Sequence, residues 1–292
     1  TGGAISLSTG EGTATTSGLI VVKSLDAGTA GVSGSLQFTS GTTSAGSSGA
    51  ITVATGSATG GKGGDLLVSV GSGTAGIGGD VSVSAGASTA SSGGSLSLSA
   101  GYSTPTTSGS ISVRTVNSGA SGVSGSLSFV TGTTSNGASG SIMIQTGAAT
   151  NGRGGDIVLS VGKSKTDTGG DIVFEAGDSE PLTGGAISLS TGEGTATTSG
   201  MIVLRSRDAG TSGTSGMLSF ASGTTSGGSS GSITVATGSA TGGKGGDIQV
   251  SVGSGSAENG GHFTIQAGET TANSKQGGSV TVSAGQGSSG TG

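Results

Sequence analysis

The chain has 292 residues, of which 68 are Gly and 99 are Ser or Thr, with no Cys, no Trp and a formal net charge of −5. The sparse negative charge argues against nucleic acid as a partner, which would call for a basic stripe, and the lack of Cys excludes a disulfide framework. With 5 Phe and 1 Tyr, and apolar residues spread evenly, the composition suits an elongated body better than one clustered globular core.

No stretch approaches the roughly 18 consecutive apolar residues that a membrane span needs. The chain opens at Thr1 without a basic segment followed by an apolar one, so no signal peptide is expected within it. The pattern starts and stops in mid-course, with no polar capping unit, which is the expectation either for a window on a longer chain or for units that stack end to end. Compositional disorder usually brings Pro and high net charge. Only 2 Pro are present, and Val and Ile recur at regular intervals.

From residue 2 onward one unit recurs: Gly-Gly or Ser-Gly, then an alternation of polar and apolar residues, a small residue, usually Gly, and about six small polar residues. The unit begins at 2, 17, 33, 48, 63, 78, 93, 108, 124, 139, 154, 169, 184, 199, 215, 230, 245, 260 and 277. Counting position 1 from each of these gives 19 units. Most are 15 residues long, those beginning at 17, 108 and 199 are 16, and that at 260 is 17. Six units make a super-repeat of 91 residues, and Thr1 to Gly18 recurs unchanged as Thr183 to Gly200. The whole of 1–292 therefore reads as one continuous array: super-repeats 2–92, 93–183 and 184–276, and the start of a fourth at 277–292.

In chain order the first apolar pair is Ile5/Leu7, followed by Ile20/Val22, Leu36/Phe38 and Ile51/Val53, and so on to Val280/Val282. Positions 4 and 6 are Ile, Leu, Val or Phe in all 19 units. A period of two is the strand signal. The Gly- and Ser-rich half of each unit supplies corner residues, and Pro105 and Pro181 both stand at position 13, where a corner needs no ladder N–H. One unit alone buries too little: two aliphatic side chains contribute roughly 3–6 kcal/mol, while ordering each residue costs about 1–2 kcal/mol. Stacking of equivalent units would resolve that deficit. The expected fold is all-β: a parallel β-solenoid (β-helix) of about 19 rungs, roughly 90 Å long at the usual strand spacing.

Several segments imitate catalytic or binding motifs. Gly56 to Lys62 fits the first seven positions of a P-loop, but Gly63 follows where Ser or Thr is needed. Gly71 to Gly76 matches a dinucleotide fingerprint with no helix expected after it. Gly60 to Val68 matches a calcium nonapeptide, against a period of 15 instead of nine. Asp65 and Asp80 share position 3 of successive units, as do Asp156 and Asp171, so a bridging Ca²⁺ is one way to hold carboxylates on adjacent rungs. The alternative is that they splay into water. Asp247, His262 and Ser279 also share position 3, but nothing in their setting implies an oxyanion hole, and no catalytic or cofactor site is expected.

Every sixth unit carries an extra residue, a cation at position 7 (Lys23, Arg114, Arg205) and Asp or Asn at position 10 (Asp26, Asn117, Asp208). Lys23, Arg114, Arg205, Asp26 and Asp208 are candidates for lateral assembly contacts, with a bulge inherited by duplication as the alternative. On stacked rungs they would be about 29 Å apart.

Units such as Gly169-Gly-Asp-Ile-Val-Phe-Glu-Ala-Gly177 resemble the Gly/Ser/Thr-rich β-repeat polypeptides of microbial and algal surface fibres and adhesins. The resemblance covers the whole chain and implies an extracellular, cell-surface structural protein that self-associates into filaments and is not an enzyme. The other reading is a surface binding module for ice or glycan, or an adhesin stalk. For ice, the residues at positions 5 and 7, such as Ser6/Ser8 and Val21/Lys23, form no regular Thr array. Abundant Ser and Thr suggest O-linked glycans, whereas no Asn-x-Ser/Thr sequon occurs.

Overall fold

A computed structural model describes residues 2–13, 16–257 and 259–287. It divides into two units, Thr1–Ile144 and Gln145–Gly292, and the division falls within a repeat and not at a super-repeat boundary. Among the described residues there is neither helix nor β-strand. The all-β expectation, and with it the β-solenoid or β-helix of stacked rungs, is therefore corrected. The rung-derived dimensions of the rod and of the lateral-contact spacing fall with it.

What organises the chain instead is a loop that closes on itself once per unit. Bends of three residues recur at 29–31, 44–46, 59–61, 74–76, 89–91 and 104–106, and in the same way through 241–243. Between them the chain runs without a sharp bend. The loops are pinched at the base, where positions 8 and 9 of one unit meet position 2 of the next. The Gly109 N–H donates to the Gly101 carbonyl at 2.9 Å, Gly185 to Gly177 at 2.8 Å and Gly278 to Gly268 at 2.8 Å. In two loops without that backbone bond a position-8 Thr hydroxyl bridges the base instead, from Thr146 Oγ1 to the Gly155 carbonyl and from Thr237 Oγ1 to the Gly246 carbonyl, each 3.2 Å. Compact loops with adjoining ends and 6–16 residues are the Ω class.

Position 2 is Gly in every unit, and at several bases the pinch leaves no room for a side chain there. A Cβ on Gly200 would lie 3.0 Å from Cβ of Thr191, and one on Gly18 would lie 2.8 Å from Cβ of Thr9. These contacts are with Cβ atoms, which no side-chain rotation can move away. The same base persists in the 16-residue units, where Gly34 faces Ser24 and Gly216 faces Ser206, and in the 17-residue unit, where Gly278 faces Ala267. Every insertion is thus absorbed inside the loop, in keeping with the weak dependence of loop closure on length. Gly31 and Gly122, each the last residue of a bend in a 16-residue unit, take φ of 154° and 158°, values that an L side chain rarely adopts.

Position 11 braces the bend. The Ser88 hydroxyl accepts from the Ser91 N–H at 3.0 Å, Ser164 from Asp167 at 3.0 Å, Ser179 from Leu182 at 3.2 Å and Thr225 from Gly228 at 3.2 Å. Ser and Thr hydroxyls favour such turns because they offer the backbone a local acceptor. Pro105 and Pro181 sit at the centres of the bends 104–106 and 180–182, the corners expected of them.

The local bonds also account for the missing ladder. Among the described residues the backbone–backbone bonds are six, from the N–H of Gly18, Gly94, Gly109, Gly185, Gly200 and Gly278, each across the base of a single loop, and no further backbone bond pairs neighbouring segments into a ladder. The apolar alternation is present, but no core forms on it: no described residue is buried.

Two outcomes follow from the loop geometry. Gly200→Ala should open the base of the loop 192–200 and raise the rate of cleavage at Glu193 by a glutamate-specific protease several-fold, whereas Gly3→Ala, which meets nothing within 4 Å, should leave cleavage there unchanged. Ser164→Ala removes one exposed hydrogen bond, a loss of about 0.5–1.5 kcal/mol at most. Amide exchange at Asp167 should accelerate accordingly, with exchange in neighbouring loops unaffected.

Candidate interaction surface

Positions 4 and 6 form an exposed apolar row. Their exposure runs from 47% at Ile20 to 101% at Ile5. In the unit Gln145–Gly292 the row folds into an apolar hollow of about 450 Å³ lined by Phe174, Ile187, Ser188, Leu189 and Leu204. Phe174, Leu189 and Leu204 are the position-6 residues of three successive repeats. Equivalent side chains therefore converge on one concave face. The sequence alternation identified the residues, but it assigned them to a core.

Charged side chains are arranged locally. Lys62 Nζ lies 2.7 Å from Asp65 Oδ2, Arg153 Nη2 lies 2.7 Å from Asp156 Oδ1 and Lys244 Nζ lies 2.8 Å from Asp247 Oδ2. These pairs recur every 91 residues, joining position 15 of one repeat to position 3 of the next. Their signal in the sequence was an opposite charge three residues away at the same point of each super-repeat. Of the proposed carboxylate pairs, Asp65 and Asp156 each contact a cation of their own chain, while Asp80 and Asp171 are exposed. Among the described residues no group of three or more His, Cys, Asp or Glu is arranged to hold a metal ion.

Lys62 of the P-loop-like segment is the same Lys that pairs with Asp65. Asp247 pairs with Lys244, and no hydrogen bond links it to His262 or Ser279 among the described residues. Lys23, Arg114, Arg205, Asp26 and Asp208 are all exposed, and among the described residues none of them forms an ion pair. No helix of the described residues is long and apolar enough to cross a membrane.

No protein-family model matches this chain, and neither does any curated protein or any solved structure.

The three ion pairs are exposed, so each contributes about 0.2–1 kcal/mol and is weakened by salt. Replacing Lys62, Arg153 and Lys244 together by Ala should shift stability by no more than the sum of those values, measured by denaturant titration at low ionic strength. The difference from the parent chain should shrink in 1 M salt.

Proposed function

We propose that this chain is a structural polypeptide of an extracellular, cell-surface fibre, built by self-association and without enzymatic activity. The observation that carries the reading is the amount of surface left exposed. The accessible area is 28513 Å² for a chain of 26.5 kDa. Two compact domains of half that mass would together expose about 13,000 Å², and the unfolded chain about 38,000 Å². Soluble monomers rarely expose contiguous apolar patches beyond a few hundred Å². Among the described residues the Ile, Leu, Val and Phe side chains of positions 4 and 6 are all exposed, and association with further copies is the physical means of covering them.

The composition agrees with that role. Charges make up 9% of the residues, so little electrostatic repulsion opposes lateral association. Exposed Ser and Thr on the loops offer acceptors for O-linked glycans, which would keep the outside of such a fibre hydrated. The resemblance to Gly/Ser/Thr-rich surface polypeptides supports the extracellular setting.

Electron microscopy of native material should show filaments, and intact-mass measurement of the same material should exceed the polypeptide mass by whole sugar residues. Discrete particles of single-chain mass would overturn the fibre. A purely polypeptide mass would remove the glycans and leave the fibre standing.

A further inference from the structure

The hydroxyl at position 11 secures one particular backbone group of each braced bend, the N–H of position 14. Ser91, Asp167, Leu182 and Gly228 are held in this way. In the loop that closes between Thr146 and Gly155 the brace cannot form, because position 11 is Ala149 and offers no hydroxyl. Position 14 of that unit is Gly152, and the residue before it, at the centre of the bend 150–152, is Asn151. Asn151 and Gly152 are exposed, and among the described residues the Gly152 N–H makes no backbone hydrogen bond. A Cβ on Gly152 would meet nothing within 4 Å.

A carboxamide carbon is an electrophile, and the next amide nitrogen along the chain is the nucleophile nearest to it. Gly152 has no side chain to obstruct the approach, and its backbone has the widest choice of φ and ψ. We infer that Asn151 is a site of spontaneous deamidation, set apart by the missing brace. The Gly152 nitrogen gives up its proton to water or hydroxide and attacks Asn151 Cγ. The Cγ–Nδ2 bond breaks, and the carboxamide nitrogen leaves with a proton as ammonia, closing a succinimide. Water then opens the ring. Cleavage of the new bond at Cγ returns an ordinary Asp. Cleavage at the main-chain carbonyl leaves isoaspartate, with the chain running through Cγ. One water is consumed, one ammonia is released, and nothing is oxidised or reduced.

Either product adds one negative charge to the formal −5, two residues from the cation of the Arg153–Asp156 pair. Isoaspartate also lengthens the loop by one backbone carbon. The loops already absorb a whole extra residue in the units beginning at 17, 108 and 199, so the Thr146–Gly155 base persists. Two further Asn-Gly pairs begin at Asn136 and Asn259. Asn136 stands at the same place in its unit, where Thr134 at position 11 carries the hydroxyl that Ala149 lacks.

The inference does not rest on self-association. Peptide mapping of the full chain during incubation at mildly alkaline pH gives the rate at each Asn, and labelling by an isoaspartyl methyltransferase detects the iso-linked product. Asn151 should convert many-fold faster than Asn117, which precedes Ser118. Ala149→Ser and Ala149→Thr install the hydroxyls found at Ser164 and Thr225. Both should slow conversion of Asn151 several-fold and leave Asn136 and Asn259 at their parent rates. In concentrated urea the difference between parent and variants should vanish, because the brace exists only in the formed bend. Conversion of Asn151 no faster than that of Asn117, a rate unmoved by both substitutions, or a slowing that persists in urea would overturn the inference.

Discussion

At the base of each loop, a glycine with no side chain lies against the small or β-branched residue ending the previous unbent segment. Around this contact, repeated from Gly18 on Thr9 to Gly278 on Ala267, the loops are built. At Gly18 and Gly200 a Cβ would lie 2.8 and 3.0 Å from the position-8 Cβ, so Gly is a steric requirement there, whereas at Gly49 and Gly231 it would make an ordinary contact of 3.8 and 3.9 Å. Once the ends are held together, the intervening residues need only turn, and Gly, Ser and Thr do that at little steric cost. The extra residue of the units at 17, 108 and 199 changes the loop and leaves its base in place.

That local closure determines what happens to the apolar residues. A stacked repeat gains stability when each unit hydrogen-bonds its neighbours and shares a core with them. Here the backbone bonds at the base close within the loop, from Gly94 to Gly86 or from Gly185 to Gly177, and are not available for a neighbouring unit. The position-4 and position-6 side chains are consequently presented outward. Exposed apolar rows with little charge between them favour association, and the hollow at Phe174, Leu189 and Leu204 is where successive units bring that row together.

The electrostatic features have the same periodic origin. The Lys62–Asp65, Arg153–Asp156 and Lys244–Asp247 pairs recur every 91 residues because the super-repeat copies both partners together. They neutralise charge locally, within three residues of chain.

The sequence alone determined the repeat, its 15- and 91-residue periods, the alternating apolar positions, the corners at Pro105 and Pro181, and the scarcity of charge. Each of these is a local property, written in residue identity and spacing. Tertiary structure decided whether the alternating residues pair between units or stand exposed between closed loops. The φ-x-φ pattern is compatible with either arrangement, because it records which face is apolar and not what covers it. The hydroxyl brace at position 11 and the Gly-on-Thr base were written in the repeat as well, in Ser164 and Gly200 for example, yet their meaning depended on knowing that positions 8 and 2 meet. That meeting is a contact across nine to eleven residues, and spacing alone does not distinguish it from the corner of a stacked coil.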